Sequence, residues 1–200
     1  MKNIIITLIL ISVIAMSLML SGCSANYMIA ENTKDIEEDP RDDEAYRERA
    51  LAWEDKGDYD RAIADYTKAI EIDPGDVDLY LLRAYLYGRK KGDYDRAIAD
   101  YNKAVEIDPA SAVAYYMRCY EYKEKTDYDQ AIADCTKAIE IDPVNAEAYY
   151  FRALVWEDKG DYDRALADCS KGLKRTDISY LNEYFIETRK RVKKKKKRSQ

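Results

Sequence analysis

The chain has 200 residues and not one histidine. That absence removes every catalytic triad or general base built on imidazole, and every zinc site that needs a histidine ligand. Glycine and proline are scarce, at 7 and 4 residues, too few for the turns of a sandwich or barrel. No Walker loop, dinucleotide fingerprint or nucleophile elbow occurs, so the chain is expected to be no enzyme, with no cofactor and no small-molecule substrate. The acidic clusters Asp58/Asp60 and Asp73/Asp76/Asp78 lack the loop glycine and the closing bidentate glutamate of a calcium loop, and no metal is expected there. What the chain does have is charge, at 36% of residues, and 19 tyrosines, a composition that suits a charge-rich helical protein.

The charge is unevenly spread. Residues 189–198 (RKRVKKKKKR) carry nine cations and no anion; with these and Lys2 set aside, the net charge of −6 becomes −16 for residues 3–188. An acidic body with a basic end is not the footprint of a nucleic-acid-binding domain, and no nucleic-acid partner is expected. The end itself, Lys193, Lys194, Lys195, Lys196, Lys197 and Arg198, is a candidate contact for anionic lipid head groups, set against the plainer reading of a solvated tail.

At the other end, one early lysine precedes the apolar run IIITLILISVIAMSLML, and Leu20-Ser21-Gly22-Cys23 closes it. This closing tetrapeptide resembles the lipobox of bacterial lipoproteins. The resemblance implies that residues 1–22 are a signal peptide, that Cys23 takes the lipid, and that residues 23–26 form a short lipidated tether. A thiol is nucleophilic enough to accept the diacyl group, and two or three acyl chains anchor stably where one would not. The implied location is the bacterial envelope; Ser24 favours the periplasmic side of the outer membrane in a two-membrane cell.

Between the ends the chain repeats itself. Asp-Pro recurs with proline at 40, 74, 109 and 143, spaced by 34, 35 and 34 residues. One phrase returns with it: GDYDRAIADYTKAIEIDP (57–74), GDYDRAIADYNKAVEIDP (92–109), TDYDQAIADCTKAIEIDP (126–143) and GDYDRALADCSKGL (160–173). Before each phrase lies a stripe at i, i+4, i+7: Tyr46/Ala50/Trp53, Tyr80/Ala84/Tyr87, Tyr115/Cys119/Tyr122 and Tyr149/Ala153/Trp156. Such a stripe makes one face of a helix. Asp42, Asp76, Ser111 and Asn145 are placed to cap this first helix, and Asp58, Asp93, Asp127 and Asp161 to cap a second. Arginines 49, 83, 118 and 152 and aspartates 65, 100, 134 and 168 recur in step, and each arginine is expected to pair with the aspartate of its own repeat. The one extra residue of the second repeat falls in Gly88–Lys91, beside a turn.

The 34-residue helix–turn–helix period resembles the tetratricopeptide repeat (TPR), and the match covers residues 41–177. The resemblance implies an all-α, right-handed superhelical α-solenoid of about four units. Residues 27–40 (YMIAENTKDIEEDP) align with 61–74 and read as a degenerate half repeat, a lone second helix in front of repeat one. Residues 178–192 read as a capping helix that covers the apolar edge of repeat four, and 193–200 as a basic tail. The chain has four cysteines; beyond Cys23, Cys119, Cys135 and Cys169 read as small buried hydrophobes. Export leaves a disulfide open, with Cys119 and Cys135 the favoured pair because both face the interface within one repeat.

In tetratricopeptide arrays the first helices line a concave groove. Four tyrosines are not needed by the framework: Tyr85, Tyr116, Tyr120 and Tyr150. By the resemblance all four fall on groove positions, as do Leu81, Leu154 and Arg47. Aromatic side chains suit a binding surface; the alternative is lateral packing between neighbouring first helices. The Lys/Asn clamp of some relatives is not present, since Arg47 and Leu51 stand where it would be. The expected function is therefore a membrane-anchored scaffold or adaptor that holds a protein or peptide in this groove. The alternative is a membrane-surface protein acting through lipid and basic tail, with the repeats used for self-association.

Overall fold

The structure is a computed structural model that describes residues 24–175 and 179–199; residues 1–22, expected from sequence to be a signal peptide, and Cys23 lie outside the described residues. Among the described residues every regular element is helical. The chain divides into two compact units, up to Leu86 and from Tyr87 onward. Both are stacks of helix–turn–helix repeats, an α-solenoid fold.

The first unit contains α1 (24–38), α2 (Asp43–Asp55), α3 (Tyr59–Ile72) and α4 (Val77–Tyr85). The second contains α5 (Tyr94–Ile107), α6 (Ala112–Glu124), α7 (Tyr128–Ile141), α8 (Ala146–Asp158), α9 (Tyr162–Gly172) and α10 (Ser179–Ser199). Each of the eight capping residues named from sequence accepts a backbone N–H in the first turn of its helix. These N–H groups have no partner within the helix, which is why short oxygen-bearing side chains recur there. Three of the turns between first and second helices pass through a left-handed glycine, Gly57, Gly92 and Gly160, while Thr126 holds the same conformation in the third repeat. The extra residue of the second repeat is absorbed as a π-helical turn, Leu86–Lys90, which continues α4.

The recurring arginines clip successive second helices together. Arg49, Arg118 and Arg152 each make a bidentate pair with Asp65, Asp134 and Asp168 at 2.7–2.9 Å. Their remaining nitrogens donate sixteen residues back along the chain, to Thr33, Asn102 and Thr136. Arg83 does the same to Thr67. Since Thr33 takes the place of Thr67 and Thr136, α1 sits in register as a second helix, with no first helix of its own among the described residues. A further rung supports this: Lys56 donates to Asn26 as Lys125 and Lys159 donate to Asp95 and Asp129.

The far end follows the same rule. α10 buries Leu181, Phe185, Thr188 and Val192 against α8 and α9. Lys196 pairs with Asp163, as the other rung lysines do with theirs. Arg191 clasps the buried Glu157 with two bonds of 2.7 Å, and Lys195 adds a third contact at 2.9 Å. The helix therefore does not stop near residue 192. It continues to Ser199 because three of its cations have acids waiting on the body. A glycine marks its seat: a Cβ on Gly172 would lie 2.0 Å from the Phe185 ring, whereas the other repeats carry Ala69, Ala104 and Ala138 there.

Candidate interaction cleft

α6, α8 and α10 are consecutive first-helix elements of the second unit, and their aromatic side chains meet on one side. Phe151 is the centre. Tyr116 stacks on it at 5.8 Å, Tyr120 meets it edge-on at 5.5 Å, and Tyr150 lies 5.6 Å away. Tyr150 in turn packs on Tyr184 and Phe185 of α10 at 5.9 and 5.4 Å. Beside this cluster opens a cleft of about 330 Å³ lined by Arg89, Tyr120, Glu147, Tyr150, Phe151, Leu154, Leu181 and Tyr184. Its wall is aromatic and aliphatic, and Arg89 and Glu147 supply one charge of each sign. The Arg89 guanidinium lies 4.1 Å from the Tyr120 ring centre, a cation–π contact that holds a long side chain in place. Burial raises the Tyr120 and Tyr150 hydroxyl pKa values above that of a free tyrosine, so both are neutral donors at physiological pH.

The structure thus brings together four of the residues singled out from sequence: Tyr116, Tyr120, Tyr150 and Leu154. All are half-buried, so they pack laterally between first helices and also present an edge outward. Leu81 and Tyr85 lie half-buried on α4 of the first unit. Arg47 of α2 is held by Glu44 at 3.5 Å and Asp78 at 4.0 Å. Of the basic tail, Lys195 and Lys196 are committed to Glu157 and Asp163. Sequence reasoning passed over Phe151, Tyr184 and Arg89. Phe151 is one of only two phenylalanines in the chain, and that scarcity was the available signal. Arg89 occupies the inserted turn, whose path no repeat pattern supplies.

Behind the cleft lies an anomaly. Glu121 occupies the position held by Ala52, Leu86 and Val155 in the other repeats, all of them buried. It is fully buried itself, and neither carboxyl oxygen has a hydrogen-bond partner. A Cβ on Gly88 would lie 2.4–2.5 Å from that carboxyl, so only glycine there admits it. In repeat one a half-buried carboxylate lies two positions further along, at Glu54, and accepts a 2.5 Å bond from Tyr66. Tyr101, the counterpart of Tyr66, instead donates to Met117 Sδ at 3.7 Å. Burial pushes the Glu121 carboxyl up to about 7, against the pull of the Arg89 charge. The second-unit cysteines divide: Cys119 and Cys135 form a disulfide with Cα atoms 5.5 Å apart, and Cys169 is a free, buried thiol.

Comparison with known proteins agrees with this architecture. A family model described as "TPR repeat" matches residues 55–91 and 88–118, and one described as "Tetratricopeptide repeat" matches 116–177. The chain belongs to the tetratricopeptide-repeat proteins. No curated protein matches it. Among solved structures, MamA is similar at 25% identity and TM-score 0.67, over 74% of this chain and 85% of that one. YrrB, described as a TPR protein with an unusual peptide-binding site, is similar at 20% identity and TM-score 0.68, over 84% and 86%. A tetratricopeptide repeat protein from Parabacteroides merdae is similar at 19% identity and TM-score 0.73, over 84% of this chain and 65% of that one. The matched families are repeat families rather than catalytic ones, and the fold supports a role in protein interaction.

Proposed function

We propose that the protein is a lipid-anchored scaffold of the bacterial cell envelope, and that its cleft on α6, α8 and α10 holds a segment of a protein partner. The observation that carries this is the aromatic wall. Tyr120, Tyr150, Phe151 and Tyr184 border one cleft, where a solenoid needs only small or aliphatic residues to stack. Large, partly buried aromatic rings offer apolar area at small entropic cost and dominate the energetics of many interfaces. The cleft volume of about 330 Å³ suits one or two apolar anchors of an extended or helical segment. Arg89 and Glu147 at its rim would read the polarity of the flanking residues. The peptide-binding site for which YrrB is described belongs to a protein of the same fold, which is consistent with this use of the scaffold. Anchoring at Cys23 rests on the lipobox resemblance.

The test begins with a photo-crosslinking amino acid in place of Leu154, used in cells to capture the partner. The double variant Tyr116→Ala/Tyr120→Ala should then weaken that partner at least tenfold, since truncating an aromatic anchor often costs about 2 kcal/mol or more. Its circular dichroism should stay helical, whereas Tyr115→Ala, one residue away on the framework face, should unfold the array. Unchanged affinity in a folded double variant would move the binding surface elsewhere. Equal loss of helicity in both variants would make these tyrosines core.

A further inference from the structure

Seven of the nine cations in residues 189–198 fall into two sets on one helix. At 100° per residue, the buried line of α10 is Leu181, Phe185, Thr188 and Val192. Arg191, Lys195 and Lys196 flank that line and are consumed by Glu157 and Asp163. Burial pushes the Glu157 carboxyl up, and the bonds from Arg191 and Lys195 outweigh it, leaving the group below its usual pKa and ionised. Lys190, Lys193, Lys194 and Lys197 fall within an arc of roughly 100° on the opposite side, and all four are exposed. They span about 10 Å of helix, with Ile186, 43% exposed, one turn before them. No acidic residue occurs between 188 and 200. In repeats one to three the exposed second-helix lysine has an acid three residues on, Lys68 with Glu71, Lys103 with Glu106 and Lys137 with Glu140, whereas Lys171 of repeat four has Lys174 there.

Like charges one turn apart destabilise a helix, and the fold gains nothing from the outer set. In the repeats the corresponding side of a first helix carries the apolar stripe, Tyr149, Ala153 and Trp156 in α8, that packs on its own second helix. Among the described residues no second helix follows α10, and its stripe is cationic instead. That gives the outer side of α10 a polar face, with Glu183 and Glu187 on its first half and four exposed lysines on its second.

We infer that this outer line, Lys190, Lys193, Lys194 and Lys197 with Ile186 at its head, is a docking face for an anionic lipid bilayer, while the inner cations serve only to hold α10 on the body. The choice of a bilayer over other polyanions rests on the lipoprotein reading of Cys23, which keeps the chain beside head groups at high effective concentration. Lysines close to such a surface add roughly fivefold each to the attraction.

The test uses the full chain, purified in detergent and reconstituted into vesicles of neutral phosphatidylcholine or of phosphatidylcholine with about one-third phosphatidylglycerol. Lysine acetylation rates are read by mass spectrometry. Lys190, Lys193, Lys194 and Lys197 should react at least fivefold more slowly on the anionic vesicles, and the difference should vanish in about 1 M salt, where the screening length is about 3 Å. Lys174, exposed on the body, should react alike on both, and so should the ion-paired Lys195 and Lys196. Equal rates for the outer four on both vesicles, protection on both, or a slowing shared by Lys174 would each overturn the inference. Palmitate-analogue labelling of the chain and of Cys23→Ser in cells reads the anchor separately. Label absent from the parent chain, or retained on the variant, sinks the anchor reading while the vesicle result stands on its own. Label confined to the parent with equal lysine rates sinks the docking face alone.

Discussion

Repeats three and four are built from nearly the same phrase and are held together differently. Repeat three, α6 and α7, keeps the caps and the Arg118–Asp134 clip and departs from the pattern at four other places. Its turn places a threonine at φ 62° where repeat four has Gly160 at φ 84°. Its core holds Glu121 where repeat four has Val155. The first turn of its second helix holds Gln130, where Arg164 of repeat four lies 4.4 Å from the Trp156 ring centre. It also carries the Cys119–Cys135 disulfide, while repeat four has Ala153 and the free Cys169 in the matching places. Closing a loop of this size stabilises by about 3 kcal/mol, enough to offset several such departures. Repeat four is regular but stands last, so one side of it depends on α10. In a solenoid each unit draws its stability from itself and its nearest neighbours. Irregular chemistry is tolerated where a crosslink and two neighbouring repeats share the burden, and the terminal repeat keeps the framework residues and adds a cap.

The strongest way to break that comparison is to remove the cap. Truncation after Arg175 deletes Leu181, Phe185 and Val192, which are buried against α8 and α9. Fully burying such side chains contributes about 1.5–3 kcal/mol each, so repeat four should lose about 4 kcal/mol or more of apolar burial. Hydrogen exchange should show α8 and α9 opening first, while α6 and α7 keep most of their protection. Equal loss of protection in both repeats would mean that the array folds as one cooperative block and that the contrast drawn here is only geometric. Unchanged exchange in α8 and α9 would mean that α10 is not their support.

How much of this was legible beforehand follows from which signals repeat. The caps, the glycine turns and the Arg–Asp clips recur at fixed offsets, so eight helix starts and the pairing of Arg49, Arg118 and Arg152 could be read directly. The π-turn could be placed because one repeat is a residue longer. What could not be read are the compensations between non-recurring residues. Gly88 makes sense only once Glu121 is seen against it, and Gly172 only once Phe185 is. Neither pair has a constant spacing, and each residue alone resembles noise in a repeat. The cleft was half legible for the same reason. Its tyrosines stood out as surplus to the framework, whereas Phe151 was hidden inside an apolar helix and Tyr184 lay beyond the last repeat. The end of α10 was misplaced because a run of lysines reads as solvated, and its partners Glu157 and Asp163 are more than thirty residues upstream.

Glu121 offers a change that should make repeat three more like repeat four. Its carboxyl is buried without a partner and is pushed up from 4.5 to about 7. Arg89, Tyr101, Tyr120 and Glu124 are the charged or titratable groups around it. A folded-state pKa above the unfolded value means that the fold binds the proton more tightly. Below about pH 4.5 both states are protonated and no penalty arises. Between there and about pH 7 the unfolded chain has released the proton and the folded one has not, so stability falls as pH rises. Above about 7 the whole cost is present, on the order of 3 kcal/mol. Glu121→Leu, which copies Leu86, should therefore stabilise the chain by about 2 kcal/mol at pH 8, after some loss to imperfect packing against Gly88. It should do little at pH 4.5. Urea midpoints measured across that range give the answer. A pH-independent effect would mean that the carboxyl is ionised, or satisfied, throughout.

Thr126 is the smallest and cleanest lever. It holds φ 62° at the turn where Gly57, Gly92 and Gly160 hold 74°, 69° and 84°. A β-branched residue in the left-handed region crowds its own carbonyl, at a cost of about 1–2 kcal/mol. Space is not the issue at this turn, because a Cβ added to any of those three glycines would meet nothing within 4 Å. The strain is therefore confined to the backbone of residue 126. Glycine would remove it and at the same time give the unfolded chain more freedom, which returns about 0.5–1 kcal/mol to the unfolded side. The net expectation for Thr126→Gly is a gain of about 0.5–1 kcal/mol, seen as a small rise in the urea midpoint with an unchanged slope. Gly160→Thr is the reciprocal change, and by the same balance it should cost repeat four about 0.5–1 kcal/mol. A loss of stability in Thr126→Gly would mean that the threonine side chain contributes a contact worth more than the strain. A neutral Gly160→Thr would mean that the turn can relax, and that the glycines of the other repeats are not required by its geometry.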